Sequence, residues 1–262
     1  MKNPWAQRII DEYSHKRDED RRFDVPFFRV EYLTTLRYIN KYLLNPKKTK
    51  LLEIGAATGR YAIPLAQREC EVTAVDLTPK HIKILKEKAK KLNLKNINIH
   101  QGCALDLPLE NNTFDIVLNL GPLYHLPDDE TCKRAISEAV RATKPGGYLF
   151  SSFMGDFYIK NRFAKLTKDL AQVGHLNPSP DDIVFRGHEV TQVRSYYDNL
   201  NTKEFHMLTT DGTSYSITEE LAKMTEKEYR SHLKSHWHVC EHPGMWDHSR
   251  NFLHVVQKEE IS

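Results

Sequence analysis

The stretch LLEIGAATGR, Leu51–Arg60, decides the fold, because it runs from an apolar strand through a turn of small residues into a helix. Gly55 and Gly59 leave the backbone of this turn bare, so a ligand can approach it closely. A dinucleotide-binding turn would need a further glycine where Ala57 stands. Glu53, two residues before the first glycine, would repel a phosphate. The turn therefore predicts a ligand that carries a positive charge.

A second acidic residue lies at the end of the next predicted strand, Glu71–Asp76. Asp76 follows Gly59 by 17 residues, which is near the spacing expected for a carboxylate that binds a ribose. We expect Asp76 to accept both ribose hydroxyls. A ribose acid combined with an acid that suits the amino group of a methionine moiety points to S-adenosylmethionine and not to NAD.

Two further motifs follow in order. The segment GCALDLP, Gly102–Pro108, precedes the predicted strand FDIVLNL, Phe114–Leu120. With the first two motifs, they make the region from Lys50 to Phe153 resemble the class I S-adenosylmethionine-dependent methyltransferases. The resemblance is to the small-molecule (methyltransferase type 11-like) branch, which carries E/D-x-G-x-x-x-G, a ribose acid, G-D-A-x-x-L-P and F-D-x-V. The run LGPLYHL, Leu120–Leu126, is similar to members of that branch.

The alternation of strand and helix patterns predicts a parallel sheet with right-handed crossovers, whose ligands bind at the carboxyl ends of the strands. The resemblance implies an α/β fold with a doubly wound, Rossmann-like, seven-stranded sheet, an N-terminal helical arm and a lid insertion. We expect residues 1–46 to form the arm or cap and residues 47–262 to form the methyltransferase domain, with the lid at about 155–200.

The resemblance also implies which residues contact the cofactor. They are Glu53, Gly55, Ala56, Ala57, Gly59, Asp76, Leu77, Cys103, Ala104, Leu105, Asn119, Leu120 and Tyr13. One of them departs from the family pattern, since Cys103 stands where relatives usually have an aspartate that binds the adenine amino group. Adenine recognition would then depend on the backbone of Ala104 and Leu105 and on stacking against Leu77.

The N-terminal arm is expected to cover the cofactor, as in relatives. A helical pattern runs from Arg29 to Leu44, and the segment before it contains Tyr13, Phe27 and Phe28. Each of these aromatic residues is a candidate for the roof of the pocket, and Tyr13 is preferred. The alternative for Phe27 and Phe28 is that they only pack on the sheet.

The expected chemistry is methyl transfer to an oxygen, nitrogen or sulfur nucleophile of a small-molecule acceptor. Because the methyl group of a sulfonium is already electrophilic, the protein chiefly has to align the nucleophile with it. Tyr124 and His125 are candidates for substrate binding, and His125 is the candidate base because histidine titrates near neutrality. The alternative is that His125 caps the next helix or packs under it.

Composition restricts the other function classes. The formal net charge of the 262 residues is only +3, and neither a signal peptide nor an apolar run long enough to span a bilayer is present, so we expect a cytoplasmic protein. A nucleic-acid methyltransferase is a rival, but the strand end Asn119–Pro122 lacks the N/D-P-P-Y/F block that grips a flipped base, and no basic stripe is evident. A noncatalytic S-adenosylmethionine-binding module is the second rival.

The region after Phe153 resembles the family less. An amphipathic helix is predicted from Phe157 to Val173 and a loop from Gly174 to Asp182. Further on, we expect a hairpin around Asp211-Gly212, capping boxes at Ser216–Glu219 and Thr225–Glu228, and a last strand at Phe252–Val256. Five histidines and Cys240 lie between residues 232 and 248. We expect His236, His238 and Cys240 to alternate with Trp237 and Val239 on a half-buried edge near the pocket mouth, with no metal bound. The alternatives are that ligands on an extended segment bind zinc or copper, or that one imidazole contacts the substrate.

Overall fold

The computed structural model describes residues 4–16, 25–167, 185–246 and 248–260. In these ranges two α-helices precede the first strand, namely α1 (Pro4–Asp11), which continues into a π-helical turn at Glu12–Lys16, and α2 (Pro26–Tyr42), which is followed by a 3₁₀ turn at Pro46–Lys48. The central part of the chain contains β1 (Lys50–Ile54), α3 (Ala62–Gln67), β2 (Glu71–Asp76), α4 (Pro79–Lys91), β3 (Ile97–Gln101), β4 (Phe114–Asn119), α5 (Asp129–Ala142) and β5 (Thr143–Met154). The last part contains α6 (Asp156–Thr167), α7 (Val190–Ser195), β6 (Thr202–Thr209), α8 (Thr218–Lys223), α9 (Glu226–Val239) and β7 (Asn251–Lys258).

The strands form a seven-stranded sheet in the order β3-β2-β1-β4-β5-β7-β6, which confirms the predicted doubly wound architecture. The first five strands in this order are parallel, as predicted. β7 is antiparallel to both of its neighbours, β5 and β6, so the sheet is mixed. Residues 251–256 of β7 are all buried, because the strand lies inside the sheet and not at its edge.

Helices cover both faces of the sheet, because neighbouring residues of each strand point to opposite sides. Leu52 and Ile54 of β1 belong to the apolar cluster that includes buried residues of α5 and α7. Leu51 of β1 belongs to the other cluster, which includes Tyr38 and Ile39 of α2. The helix predicted at Arg29–Leu44 therefore exists as α2 and packs on the sheet, starting three residues earlier, at Pro26.

The C-terminal third corrects three predictions. Asp211-Gly212 does not form a hairpin, because the backbone turns there into a 3₁₀ helix at Ser214–Ile217 and β6 pairs with β7 instead. α8 starts at Thr218 without a side-chain cap, so the capping box predicted at Ser216 is wrong, whereas the box of Thr225 and Glu228 at the start of α9 is confirmed. The first part of the histidine-rich stretch, from His232 to Val239, is helical in α9 and not extended.

The helix predicted at Phe157–Val173 is observed as α6, and its last residues fall outside the described part of the chain, as does the loop predicted at Gly174–Asp182. The last strand is confirmed as β7. Among the described helices, none is both long enough and apolar enough to cross a membrane.

Candidate cofactor and substrate cavity

A cavity of ≈ 1170 Å³, counted with its open mouth, lies at the carboxyl edge of the parallel strands, between β1, β2 and β4 and the N-terminal helices. Twelve of the residues predicted to form the site line it, namely Tyr13, Glu53, Gly55, Ala56, Ala57, Asp76, Leu77, Cys103, Ala104, Leu120, Tyr124 and His125.

Asp76 joins three parts of the cavity wall. One carboxylate oxygen accepts a hydrogen bond from the backbone N–H of Ala57 at 2.8 Å. The other accepts from the N–H of Thr78 at 2.8 Å and lies 3.1 Å from Nδ1 of His81. A carboxylate offers about four acceptor sites, so roughly one remains for a ligand hydroxyl. The carboxylate thus organises the glycine-containing turn and also faces the ligand space.

Glu53 is almost fully buried, with 2% of its surface exposed. Burial raises the pKa of this carboxyl to about 8, and the nearby charge of Asp76 raises it further, while the N–H of Ala62 and the Arg60 guanidinium act in the opposite direction. Oε2 accepts that Ala62 N–H bond at 2.7 Å. Near neutral pH the carboxyl is therefore mostly protonated, and a cationic group in the cavity would favour its ionised form.

The two glycines of the turn have different roles. Gly55 has a φ of +74°, and a Cβ atom there would lie 2.7 Å from Cδ of Pro122, so the turn touches the loop after β4 directly. Gly59 has a φ of +94°, and its Cβ would lie 2.4 Å from Cδ1 of Leu85 in α4. Gly59 does not line the cavity. Its lack of a side chain serves the packing of α4 against the turn.

The loop after β3 presents Cys103 and Ala104 to the cavity. Leu105, which was predicted beside them, does not line it. Its side chain is 8% exposed and belongs to the apolar core, and its carbonyl accepts a hydrogen bond from Nε of Arg134 at 2.9 Å. Gly102, Cys103 and Ala104 are therefore the residues of this loop that can meet a ligand.

Asn119 ends β4 but does not line the cavity either. It lies on the same face of the strand as Val117, which packs in the cluster on the α5 side of the sheet. It is completely buried, and neither its Oδ1 nor its Nδ2 has a hydrogen-bond partner among the described residues. The next residue, Leu120, is the one that reaches the cavity.

Tyr13 forms part of the roof, as predicted. Its side chain is 7% exposed, and its hydroxyl lies 2.9 Å from Nε2 of His125. The Tyr13 ring also packs edge-on against His81, with the ring centroids 5.4 Å apart. Phe27 and Phe28 do not line the cavity; they pack on each other and under the guanidinium of Arg250.

The other lining residues were not predicted from the sequence, and they are Trp5, Ile9, Glu31, Thr35, Ile54, Thr58, Arg60, Tyr61, Thr78, His81, Gly102, Gly121, Pro122, Leu126 and Ser152. The signal for the first two was the spacing of Trp5, Ile9 and Tyr13 at intervals of four residues, which places them on one face of a helix. Glu31 lies 3.5 Å from Nη1 of Arg60 and 3.0 Å from Nη1 of Arg250. These ion pairs make one wall of the cavity charged.

The described residues contain no group of three or more histidine, cysteine, aspartate or glutamate side chains that could hold a metal ion. His236 is buried in α9, and His238 lies two residues further along the same helix. Since neighbouring positions of a helix point in different directions, the helical structure separates ligands that an extended strand would have aligned.

Residues 51–147 match the family model described as a methyltransferase domain. The chain is 32% identical over 106 residues to a demethylmenaquinone methyltransferase of Listeria welshimeri, covering 39% of this chain and 44% of that protein. It is 30% identical over 126 residues to the 27-O-demethylrifamycin SV methyltransferase of Amycolatopsis mediterranei, covering 47% of this chain and 44% of that protein. It thus spans less than half of the length of these curated relatives.

The likeness in fold extends further. The structure of a SAM-dependent methyltransferase of Thermotoga maritima, described as a possible histamine N-methyltransferase, has a TM-score of 0.61 to this chain at 19% sequence identity. That superposition covers 98% of this chain and 100% of the other. The fold is therefore shared over nearly the whole chain, although the sequence match is confined to the region of the motifs.

Proposed function

Because this chain carries a class I S-adenosylmethionine-dependent methyltransferase domain at residues 51–147, we propose that it transfers the methyl group of S-adenosylmethionine to an oxygen, nitrogen or sulfur atom of a small molecule. The observation that carries this proposal is that Glu53 and Asp76, at the carboxyl ends of neighbouring strands, both line one cavity under the Tyr13 roof. This pair of acids matches the chemistry of the cofactor, which combines a cationic amino group with a ribose.

The lining residues fit S-adenosylmethionine. Asp76 has about one acceptor site left for a ribose hydroxyl, and Leu77, Cys103 and Ala104 form the wall expected to meet adenine. Gly55 brings bare backbone to the cavity, and Glu53 supplies a carboxyl whose ionised form an ammonium group would stabilise. When bound, the cofactor supplies an electrophilic methyl group.

The residues of this chain would hold the acceptor and receive its proton. Tyr13 and His125 face the same cavity and are joined by a hydrogen bond of 2.9 Å. The acceptor loses a proton when its O–H, N–H or S–H atom becomes methylated. We assign that proton to Nε2 of His125, either directly or through the Tyr13 hydroxyl, which donates its own proton to the histidine as it accepts the new one.

A small acceptor is favoured because the N-terminal arm covers the cavity. One wall of this cavity also carries charged side chains that can bind polar groups of an acceptor. Glu31, Arg60 and Ser152 offer hydrogen-bonding groups there. Phe185, in the described part of the predicted lid, packs on His125 with ring centroids 5.0 Å apart. We therefore assign residues 1–46 the role of a cap over the cofactor and residues 155–200 that of a lid on the acceptor side.

The test is turnover with methyl-labelled S-adenosylmethionine and a panel of small phenols, amines, thiols and quinols. Label in a product that depends on Tyr13 and His125 would support the proposal. Tight binding of S-adenosylhomocysteine without any labelled product over the panel would favour a noncatalytic binding module.

One observation favours a nucleic-acid acceptor instead. The exposed side of α4 and the turn after it form a lysine-rich face that the small net charge of the chain conceals. Its exposed lysines are Lys83, Lys86, Lys90, Lys91 and Lys95, and Glu87 is exposed among them. A structured RNA and a DNA duplex therefore belong in the panel, and label transferred to either, lost when Lys86 and Lys90 become glutamate, would establish that acceptor class.

A further inference from the structure

The indole of Trp5 is a polar group of the cavity that the motifs do not explain. Its Nε1–H is buried and has no hydrogen-bond partner in the described part of the chain. An indole N–H can only donate, and a buried donor without an acceptor is costly. Trp5 lines the same cavity as Cys103 and Ala104. A ligand with an acceptor atom would therefore relieve this cost.

The position of Trp5 is fixed by α1. Trp5, Ile9 and Tyr13 recur at intervals of four residues and all line the cavity, so one face of the arm is turned toward the ligand space. The far end of that face is held by the bond between Tyr13 and His125. Trp5 also packs against the apolar cluster on the α5 side of the sheet, to which Ala104 and Leu105 of the loop after β3 belong.

In the loop after β3, Cys103 offers the adenine ring only weak hydrogen bonds. A thiol is a weak hydrogen-bonding group, so Cys103 can do little to distinguish adenine from other rings. Adenine also has ring nitrogens, which only accept hydrogen bonds. The donor on Trp5 and these acceptors are complementary.

On the basis of the proposed function, we propose that Trp5 is an adenine-binding residue. Its indole N–H donates a hydrogen bond to a ring nitrogen of adenine, and the N-terminal arm thereby supplies the base recognition that Cys103 does not. The arm is then part of the cofactor site and not only its cover.

The test is calorimetric titration of the full chain with S-adenosylhomocysteine. Trp5→Phe keeps an aromatic ring and removes the donor, so we expect binding to weaken by about three- to tenfold. Trp246→Phe is the matched control. The Trp246 indole N–H is also buried without a partner among the described residues, but Trp246 does not line the cavity, so its variant should bind within about twofold of wild type.

Cofactor analogues make the test independent of how well Trp5→Phe folds. Analogues of S-adenosylhomocysteine in which N1, N3 or N7 is replaced by C–H should include one that binds the wild-type chain several-fold more weakly. That same analogue should lose no further affinity for Trp5→Phe. Equal affinity of Trp5→Phe and wild type, or no discrimination among the three analogues by wild type, overturns the role of Trp5. A wild-type chain that binds no S-adenosylhomocysteine at all overturns the proposed function as well.

Discussion

The hydroxyl of Tyr13 lies 2.9 Å from Nε2 of His125, although the two residues are 112 positions apart in the chain. This bond connects the N-terminal arm with the loop after β4, and both side chains line the cavity. The proposed proton acceptor is thereby linked to the arm that is proposed to cover the cofactor.

His125→Ala should lower turnover by a factor of about 10²–10⁴, because a positioned proton acceptor typically contributes that much. Tyr13→Phe should lose a smaller part of the rate, since it keeps the ring and removes the relay hydroxyl. Tyr148→Phe is the control. The Tyr148 hydroxyl accepts a hydrogen bond from Nε2 of Gln257, and Tyr148 pairs with Ile116 near the amino end of β4, away from the cavity. A His125→Ala variant that loses thermal stability and cofactor affinity together would show a structural role instead.

Asp76→Ala should weaken S-adenosylhomocysteine binding by at least about tenfold, because a hydrogen bond to a charged group contributes about 1.5–3 kcal/mol. The loss also removes the acceptor for the Ala57 and Thr78 N–H groups. Asp115→Ala is the matched control, since that acid lies at the amino end of β4 and bonds Lys50 and Lys144. An unchanged dissociation constant for Asp76→Ala would remove this residue from the site.

The affinity for S-adenosylhomocysteine should rise between pH 6 and pH 8 and level off above. The pKa of Glu53 is raised to about 8, so the free carboxyl is protonated below that pH, and a bound ammonium group favours its ionised form. Binding near pH 7 should therefore release a proton, which calorimetry in buffers of different ionisation enthalpy measures. Glu53→Gln should abolish the proton release. A wild-type affinity that does not change between pH 6 and pH 8 would contradict the role of Glu53 in binding the ammonium group.

Cys103→Asp should tighten S-adenosylhomocysteine by about threefold or more, because a carboxylate accepts a hydrogen bond from the adenine amino group better than a thiol does. Cys103 is only partly buried, so an added charge can stay hydrated. Cys103→Asn, which adds a neutral acceptor, should gain less. If the aspartate variant binds no better than wild type, adenine does not present its amino group to this loop.

Gly59→Ala should lower the free energy of unfolding by about 1–3 kcal/mol, because the new Cβ would lie 2.4 Å from Leu85 on a backbone with positive φ. Gly146→Ala is the matched control, since Gly146 also has a positive φ but its Cβ would meet only Glu260 Oε1, at 3.9 Å. Denaturant unfolding compares the two variants. Equal losses would mean that backbone strain, and not the packing of α4, explains Gly59.

The sequence predicted those parts of the site that depend on local patterns. A strand followed by small residues and an acid after the next strand locate Glu53, Gly55 and Asp76, since parallel strands bring their carboxyl ends to one edge. Gly59 shows one limit, because Leu85 constrains it through a contact that exists only after α4 has packed. Asn119 shows a different limit. Side chains alternate along β4, so Asn119 points to the same face as Val117, toward α5. Leu120 follows the end of the strand and lines the cavity.

The order of the antiparallel strands β7 and β6 in the sheet could not be predicted from local patterns. The apolar run at 252–256 predicts a strand, but nothing in it specifies that the strand enters between β5 and β6. The turn residues Asp211-Gly212 suggested a local hairpin, whereas Asp211 accepts a hydrogen bond from the backbone N–H of Asn251 and so fixes a contact between segments far apart in the chain.

The position of β7 has a consequence for how the protein is made. β6 leaves the ribosome well before β7, yet within the sheet β6 pairs with β7 alone. The five parallel strands, which carry Glu53, Asp76 and the loops of the cavity, can associate while β6 still has no strand to join. Until residues 251–258 are synthesised, the edge of β5 stays open, and Phe150 and Phe153 lie beside it. During translation this nascent edge is a point at which the chain can be captured by a chaperone or by another copy of itself.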